Sequence, residues 1–423
     1  MSAFSLQKHK LWNYLFTDKE YDDNRLRSLL HLALGSLKEF VGFFSVQLDA
    51  YLWEERFAQR LQKKSLNSLA AQSIANLQQR LHQESCENAD YFHHHFQLER
   101  LLFEQTGTQA RIATNNLETL FANSAWYFMY QTLRYACNAR SHANISSASY
   151  EIPLLNAVLQ WIEERESEQP ATILIYYYTY CSLQEYKRDI FDKLKAVFWQ
   201  QHQKLPPSEQ QDVLLMIINV CIKRLNTGDS SFAGEAFDLY QKGLQADLLL
   251  KQGYLSRFDY KNIVSIGLIM REFSWVADFI ERYAPFLEEE YQQSYRDFNT
   301  AKLEFTRGNY RQAKRLFTMV EYDDVFFNLS AKMMLLKIYY EEQELDSLEA
   351  ILDSFRRYLQ RQSGLGYHKE VYGNILRLVS KMVRLAPNDE KAKKALQHQI
   401  EETQPLAERK WLLGQLVQGN HFL

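Results

Sequence analysis

Apolar residues recur along most of this chain at the spacing that places them on one face of an α-helix. In residues 313–320, and again in residues 348–355, apolar side chains stand at positions i, i+3, i+4 and i+7. This period indicates helices, because a half-buried strand alternates apolar and polar residues. Residues 173–178 are rich in Ile and Tyr, which favour strands. We predict a helix there as well, because the sequence offers no second strand for pairing.

The predicted helices are long in the first third of the chain and shorter afterwards. We predict three long helices, each with room for one break, over residues 23–62, 65–104 and 110–137. The segment 139–149 is small, polar and weakly periodic. We therefore place a boundary there, between an N-terminal helical region, residues 1–140, and a second region, residues 150–423.

Glycines and capping residues mark several predicted helix ends. Gly107, Gly228 and Gly308 follow apolar-periodic stretches, where a left-handed residue commonly ends a helix. Ser208 opens a sequence of the capping-box type, and Asn388 is a favourable first cap. The connections are therefore predicted to be short turns.

The second region contains an internal repeat. An anchor residue on the second helix of each pair is followed by apolar positions at +3, +4 and +7, except that Glu281 is off-pattern at +4 of the second unit. The four anchors are Ala236, Ala277, Ala313 and Leu348. They are 41, 36 and 35 residues apart. A period of this length with two helices per unit is typical of a helical solenoid, in which each pair buries its apolar face against the next.

The third unit resembles the core of a tetratricopeptide repeat. Residues 308–317 read GNYRQAKRLF, and Ala301 stands in the preceding helix. In that family the small residues allow close helix packing, the glycine occupies the turn, and the aromatic residue fills the next groove. Asp297 and Val325 stand where the family has its Trp and its terminal Pro, so the chain resembles a divergent tetratricopeptide-like protein. With the long N-terminal helices, this predicts an all-α fold whose helical hairpins form a right-handed α-solenoid.

The resemblance also implies a concave groove, lined by the first helix of each pair, that holds a peptide or a partner protein. The repeat register directs six side chains toward that groove: Asn262, Tyr295, Asn299, Lys302, Lys337 and Tyr340. Asparagine amides and lysine ammonium groups suit an acidic segment or a C-terminal carboxylate. Lys302 and Lys337 are one repeat apart, so we expect them to stand exposed in a row along the groove.

Composition narrows the classes of protein further. Gly and Pro number 14 and 7 among 423 residues, against the roughly 12% that the two contribute to an average protein, which disfavours sheet-rich and nucleotide-binding folds. With 49 basic and 52 acidic residues the net charge is −3, so we predict no nucleic-acid partner. The best apolar run, residues 213–218, is far shorter than the ~20 residues of a spanning helix, and we predict no membrane partner.

The cysteines indicate a reducing compartment. Cys86, Cys137, Cys181 and Cys221 are far apart and form no CxxC pair, which is typical of reduced, buried thiols. Residues 1–16 contain no continuous apolar segment of the kind that a signal peptide needs. We therefore expect a cytoplasmic protein.

Motifs for catalysis are missing from the sequence. It contains no GxGxxG, GxxxxGK[ST], HExxH or GxSxG, each of which needs glycines or paired ligands at a fixed spacing. One stripe on a predicted helix has side chains that bind metals, at i, i+4, i+8 and i+12: His82, Cys86, Asp90 and His94. Structural zinc ligands usually converge from more than one element, so we favour a polar stripe without a metal.

These observations predict a non-catalytic protein-interaction scaffold without a cofactor. The expected partner is a protein or peptide, in particular an acidic one. The sequence does not indicate the oligomeric state of the scaffold itself. The alternative hypothesis is a helical enzyme or metal-dependent factor that uses residues 82–95. Metal analysis of the purified protein separates the two, because the scaffold hypothesis requires no stoichiometric zinc or iron.

Overall fold

The computed structural model describes residues 8–16, 19–106, 116–145, 148–319, 325–362, 365–386 and 389–418. Within these ranges it contains 20 α-helices and a single pair of two-residue strands. The predicted all-α class is therefore confirmed. The chain divides into two compact units, Met1–Val220 (unit 1) and Cys221–Leu423 (unit 2). The domain boundary predicted at residues 139–149 stays a prediction.

Ten helices cover unit 1, and the last of them continues into the first residues of unit 2: α1 (Lys8–Leu15), α2 (Asp23–Leu48), α3 (Ala50–Lys63), α4 (Asn67–His82), α5 (Ala89–Thr106), α6 (Leu117–Ile145), α7 (Leu155–Glu164), α8 (Ala171–Gln184), α9 (Arg188–Gln201) and α10 (Pro207–Asn226). Single turns of 3₁₀-helix follow α7 and α9, at Glu166–Glu168 and His202–Lys204.

Unit 2 continues with α11 (Phe232–Gln245), α12 (Arg257–Ile269), α13 (Phe273–Tyr283), α14 (Glu289–Arg307), α15 (Tyr310–Met319), α16 (Val325–Glu341), α17 (Leu345–Arg361), α18 (Tyr367–Val383), α19 (Glu390–Glu402) and α20 (Arg409–Gln418). The strands β1 (Leu250–Lys251) and β2 (Tyr254–Leu255) pair antiparallel between α11 and α12. A 3₁₀ turn, Ala284–Phe286, follows α13.

The long N-terminal helices are broken where local chemistry allows it. The helix predicted over residues 23–62 is divided by Asp49, whose Oδ1 accepts a hydrogen bond from Leu52 N at 2.9 Å and so caps α3. The helix predicted over residues 65–104 is divided between α4 and α5. Helix α6 extends to Ile145, so the first part of the polar segment 139–149 is helical.

Several predicted helix ends can be compared with the structure. Gly308 ends α14 in the left-handed conformation, with φ of 83°, as predicted. The capping box at Ser208 is wrong: α10 begins at Pro207, and the amides of Glu209 and Gln210 donate to Pro206 O. The prediction for Gly107 lies outside the described residues. The prediction for Asn388 also lies outside the described residues. The neighbouring Asp389 caps α19, because its Oδ1 accepts a hydrogen bond from Ala392 N.

Helix α8 confirms the helix predicted over residues 173–178. Its three consecutive tyrosines, Tyr176, Tyr177 and Tyr178, are all buried, and the helix packs against α6 and α9. A helix that is buried on several sides needs no polar face. That burial explains a composition that would otherwise favour a strand.

Helix α2 presents the opposite case of an apolar helix in water. It packs against α3, and Leu26 near its start is fully buried. Farther along, Leu32, Phe40 and Phe43 are 67%, 58% and 61% exposed. Most of the apolar surface of α2 is therefore uncovered by the described residues.

A buried carboxylate joins three helices of unit 1. Glu209, in the first turn of α10, is 5% exposed. Its Oε2 accepts hydrogen bonds from the hydroxyls of Tyr130 on α6 at 2.6 Å and Tyr176 on α8 at 2.5 Å. Arg134 Nη1 lies 3.4 Å from Oε1. Burial and the adjacent carboxylate raise the pKa of both phenols far above the ordinary value, so the tyrosines remain protonated donors.

Removing that carboxylate should destabilise unit 1. We expect Glu209→Ala to lower the free energy of unfolding by ~3–5 kcal/mol, because two buried hydroxyls and a guanidinium lose their acceptor. Tyr176→Phe removes one hydrogen bond to a charged group and should cost less, ~1.5–3 kcal/mol. Urea unfolding followed by circular dichroism measures both, with Glu168→Ala, at an exposed position, as the control. Equal stability of Glu209→Ala and the control would contradict this role.

Successive helices of unit 2 pack against one another, and alternate helices also meet. Contacts link α12 to α13, α13 to α14, α14 to α15, α15 to α16, α16 to α17 and α17 to α18. Helix α14 additionally contacts α12 and α16. Of the repeat anchors, Ala236, Ala313 and Leu348 are fully buried, whereas Ala277 is half-buried beside the fully buried Val276.

A glycine allows α12 and α13 to approach closely. A methyl group added at Gly267 would stand 2.5 Å from Val276 Cγ2, well inside the ~3.5–4.0 Å of a normal carbon contact. Because Val276 is fully buried, its side chain has no solvent to move into. The spacing of these two helices therefore depends on the missing side chain at position 267.

Substitutions at two glycines should change the stability of the protein in opposite directions. We expect Gly267→Ala to destabilise unit 2 by ~1–3 kcal/mol through overpacking, and Val276→Ala in the same chain to recover part of that loss. The matched control is Gly373→Ala on α18, where an added methyl group has no neighbour within 4 Å. Alanine there should stabilise by up to ~1 kcal/mol through helix propensity. Urea unfolding measures the difference, and the same response at both glycines would contradict the close approach.

Candidate binding site

The six side chains predicted to face a groove lie on three helices of unit 2 that contact in the order α12, α14, α16. Tyr295, Asn299 and Tyr340 are buried, and Asn262, Lys302 and Lys337 are partly buried. The six therefore do not form one uniformly exposed row. The contacts of each side chain determine whether it is available to a ligand.

Lys302 is the least conventional of these residues. Its Nζ donates a hydrogen bond to Ser265 Oγ on α12 at 2.6 Å. Burial, with a smaller contribution from the positive charge of Lys261, lowers the pKa of Lys302 to about 8. Both causes act in this direction because each disfavours the charged form of an amine. At neutral pH the surroundings of Lys302 therefore destabilise its charged form.

Lys261 is a second lysine close enough to act on the charge of Lys302. It stands one turn before Ser265 on α12, and its Nζ lies 5.5 Å from the centre of the Phe327 ring on α16, a cation–π distance. In the described part of the chain, no carboxylate forms an ion pair with Lys261 or Lys302. As far as the described residues extend, the α12–α14–α16 layer therefore presents two positive charges that form no ion pair with a carboxylate, an arrangement that an anion can complete.

Asn299 and two aromatic residues form the interior of this layer. Asn299 is fully buried and its Nδ2 donates to Tyr295 O at 2.7 Å. Its Oδ1 is also buried and has no hydrogen-bond donor among the described residues. The rings of Tyr295 and Phe298 pack on Phe327, with centroids 4.5 and 4.3 Å apart. Asn299 and Tyr295 therefore support the layer from inside.

Lys337 and its neighbours belong to a different environment. Lys337 is 13% exposed and forms an ion pair of 2.6 Å with Glu408. Its Nζ lies 5.5 Å from the centre of the Trp411 ring, and Tyr340 also packs on that ring. Lys337 is thus already neutralised within unit 2. Asn262, on α12, hydrogen-bonds the buried phenol of Tyr240.

The four metal candidates do not share one helix face. Helix α4 ends at His82, Cys86 lies in the connection, and α5 begins just before Asp90, so the predicted spacing on a single helix is wrong. The ring of His94 stacks on Tyr51 with centroids 4.8 Å apart, and burial lowers the pKa of His94. Within the described ranges, no group of three or more His, Cys, Asp and Glu side chains is placed to hold a metal ion.

Lys302 was named from the sequence, whereas Lys261 and Ser265, which lie beside it in the structure, were not. Both stand on α12, about one repeat before Lys302, and Lys261 and Ser265 are separated by one helical turn. The repeat register could have found them, because side chains at equivalent positions of neighbouring repeats lie side by side. That Lys261 forms no ion pair within the described ranges could not be read from the register.

Comparison with protein-family models, with curated proteins and with solved structures finds no match for this chain. In the part of the chain that the structure describes, no helix combines the length and the apolar character needed to cross a membrane. The site is therefore interpreted from its own residues.

The lowered pKa of Lys302 predicts a pH-dependent stability. The unfolded chain has an ordinary lysine, with a pKa near ~10.4, so between pH 8 and that value the unfolded state binds more protons than the folded state. Stability of the parent should rise with pH across this window. Lys302→Met keeps the aliphatic volume and removes the titration.

The measurement compares unfolding free energies at about pH 7.5 and about pH 10. We expect Lys302→Met to be at least as stable as the parent at the lower pH, and its advantage to shrink at the higher pH. Lys394→Met, at an exposed position on α19, is the matched control and should show no such trend. A constant difference between Lys302→Met and the parent would show that Lys302 has an ordinary pKa.

Proposed function

We propose that this protein is a non-catalytic, tetratricopeptide-like helical scaffold that binds an acidic segment of a partner protein at the α12–α14–α16 layer. The observation that carries the proposal is the pair Lys261 and Lys302, two ammonium groups that meet no carboxylate in the described part of the chain. Burying positive charge without a partner is unfavourable. A ligand carboxylate placed between them supplies the missing charge.

The repeat architecture supports a scaffold of this kind. Helices α12 to α18 pack in chain order, and the first helices of three successive pairs, α12, α14 and α16, also contact each other. Such stacking is the arrangement that a right-handed solenoid requires. The resemblance of residues 308–317 to a tetratricopeptide core places the turn of one hairpin at Gly308, where the structure has a left-handed residue.

Binding of an anion here involves a proton. Lys302 has a pKa of about 8 in the free protein, and a carboxylate beside it would raise that pKa, because an opposite charge favours the charged form. The complex therefore takes up a fraction of a proton, and affinity falls as the pH rises above 8. An ordinary exposed lysine would show no such dependence in this range.

Co-purification from cells of the source organism tests the proposal. The parent is compared with Lys261→Gln/Lys302→Met, which removes both charges, and with Lys391→Gln/Lys394→Met, which changes two exposed lysines of α19. We expect the first double variant to lose a specific partner about tenfold, equivalent to ~1.4 kcal/mol. We expect the control to retain it.

Two outcomes would contradict the scaffold proposal. The first is undiminished recovery of every partner by Lys261→Gln/Lys302→Met. The second is stoichiometric zinc or iron in the purified parent, which would favour a metal-dependent factor that uses residues 82–95.

A further inference from the structure

A second cationic feature lies between α17 and α18, away from the lysine pair. The two helices border an open groove of about 430 Å³. Its floor is apolar and consists of the buried side chains of Leu359 and Leu376. Its rim carries four cationic side chains: Arg356, Lys369, Arg377 and Lys381. In the described part of the chain, no carboxylate lines this groove.

The rim charges are held in place mainly by neutral groups. Arg377 Nη2 donates to Asn374 Oδ1 at 3.0 Å, and Lys381 Nζ donates to Gln399 Oε1 at 2.8 Å. Neutral oxygens orient a cation without cancelling its charge. The side chain of Lys369 has neither a hydrogen-bond nor an ion-pair partner among the described residues.

Among the described residues, Arg356 is the one rim residue that forms an ion pair. Its Nη1 forms an ion pair of 2.9 Å with Asp353, whose side chain is largely exposed, and its Nη2 donates to Ser380 Oγ. An ion pair of this exposed kind contributes little and is easily exchanged. The groove therefore keeps most of its positive charge.

We propose that this groove binds an acidic peptide segment that inserts one apolar side chain onto the Leu359–Leu376 floor and directs carboxylates to the rim. An apolar floor gains nothing from a small inorganic anion, whereas it contributes to binding when an aliphatic or aromatic side chain covers it. The cationic rim then selects acidic over basic flanks and speeds association. This site stands on its own residues and does not rest on the proposed function of the α12–α14–α16 layer.

Gly373 gives a direct way to block the groove. It lies on α18 among the lining residues, and a Cβ added there has no neighbour within 4 Å. The Cβ of a leucine at this position therefore meets no protein atom, the rest of its side chain occupies space beside the groove lining, and leucine has a better helix propensity than glycine. Gly373→Leu should therefore fold at least as well as the parent while it fills the binding space.

The experiment measures fluorescence anisotropy of a labelled peptide with a central phenylalanine flanked by glutamates. It is carried out on the full chain and on the Lys261→Gln/Lys302→Met background, in which the lysine pair contributes no charge. We expect Gly373→Leu, and separately Lys369→Gln/Arg377→Gln, to weaken binding at least about tenfold in both. Gly414→Leu, at another open helical glycine, and Arg357→Gln/Lys394→Gln, at exposed positions, are the matched controls and should bind as the parent does.

Two further peptides decide what the groove recognises. Replacing the glutamates by lysines should abolish binding, and replacing the phenylalanine by serine should weaken it several-fold. Binding that survives Gly373→Leu, or that is the same for both charge types, would overturn the proposal. Equal binding of the serine peptide, together with displacement by inorganic phosphate, would reduce the groove to a simple anion site and would equally overturn it. Loss of binding in the Lys261→Gln/Lys302→Met background alone would assign the peptide to the α12–α14–α16 layer instead.

Discussion

The described helices depend on burial that no single helix or hairpin achieves alone. Helices α8 and α16 have buried residues on more than one side, for example Phe327, Leu329 and Met333 on α16. Such helices are stable only when neighbours cover them on several sides. Helix α17, in contrast, buries Leu348, Leu352 and their helical neighbours on one face. Burial of α16 on several sides agrees with its contacts to α14, α15 and α17.

Within this apolar packing, buried charged groups occur in two different environments. Glu209 is satisfied, because two phenols and a guanidinium surround it. Lys302 has a single hydroxyl, and the nearest charge that acts on it is another lysine. A satisfied buried charge contributes to one specific arrangement of helices, whereas an unsatisfied one is a cost that a ligand can relieve. This contrast separates the satisfied buried charge of unit 1 from the unsatisfied one on which the proposed binding site of unit 2 rests.

The sequence predicts those features that depend on local chemistry. The helices and the left-handed end at Gly308 follow from periodicity and from glycine, both of which act within a few residues. The prediction over residues 23–62 allows one break without placing it, and the cap at Asp49 in the structure gives its position. Glu209 could not be predicted, because its partners are 79 and 33 residues away and its own neighbours resemble an exposed capping box. For Lys302 the register identified the helix, but the hydroxyl that accepts its hydrogen bond belongs to Ser265, 37 residues earlier. Lys337 was expected in the same row, and its ion pair with Glu408 spans 71 residues.

The exposed apolar side chains of α2 also affect the solubility of the purified protein in concentrated salt. Phe40 and Phe44 stack on each other with centroids 5.3 Å apart, yet they remain 58% and 44% exposed. Salts such as ammonium sulfate are excluded from protein surfaces and strengthen every tendency to cover apolar area. The chain should therefore salt out at a lower sulfate concentration than its net charge of −3 alone implies, with α2 as the segment through which molecules first adhere.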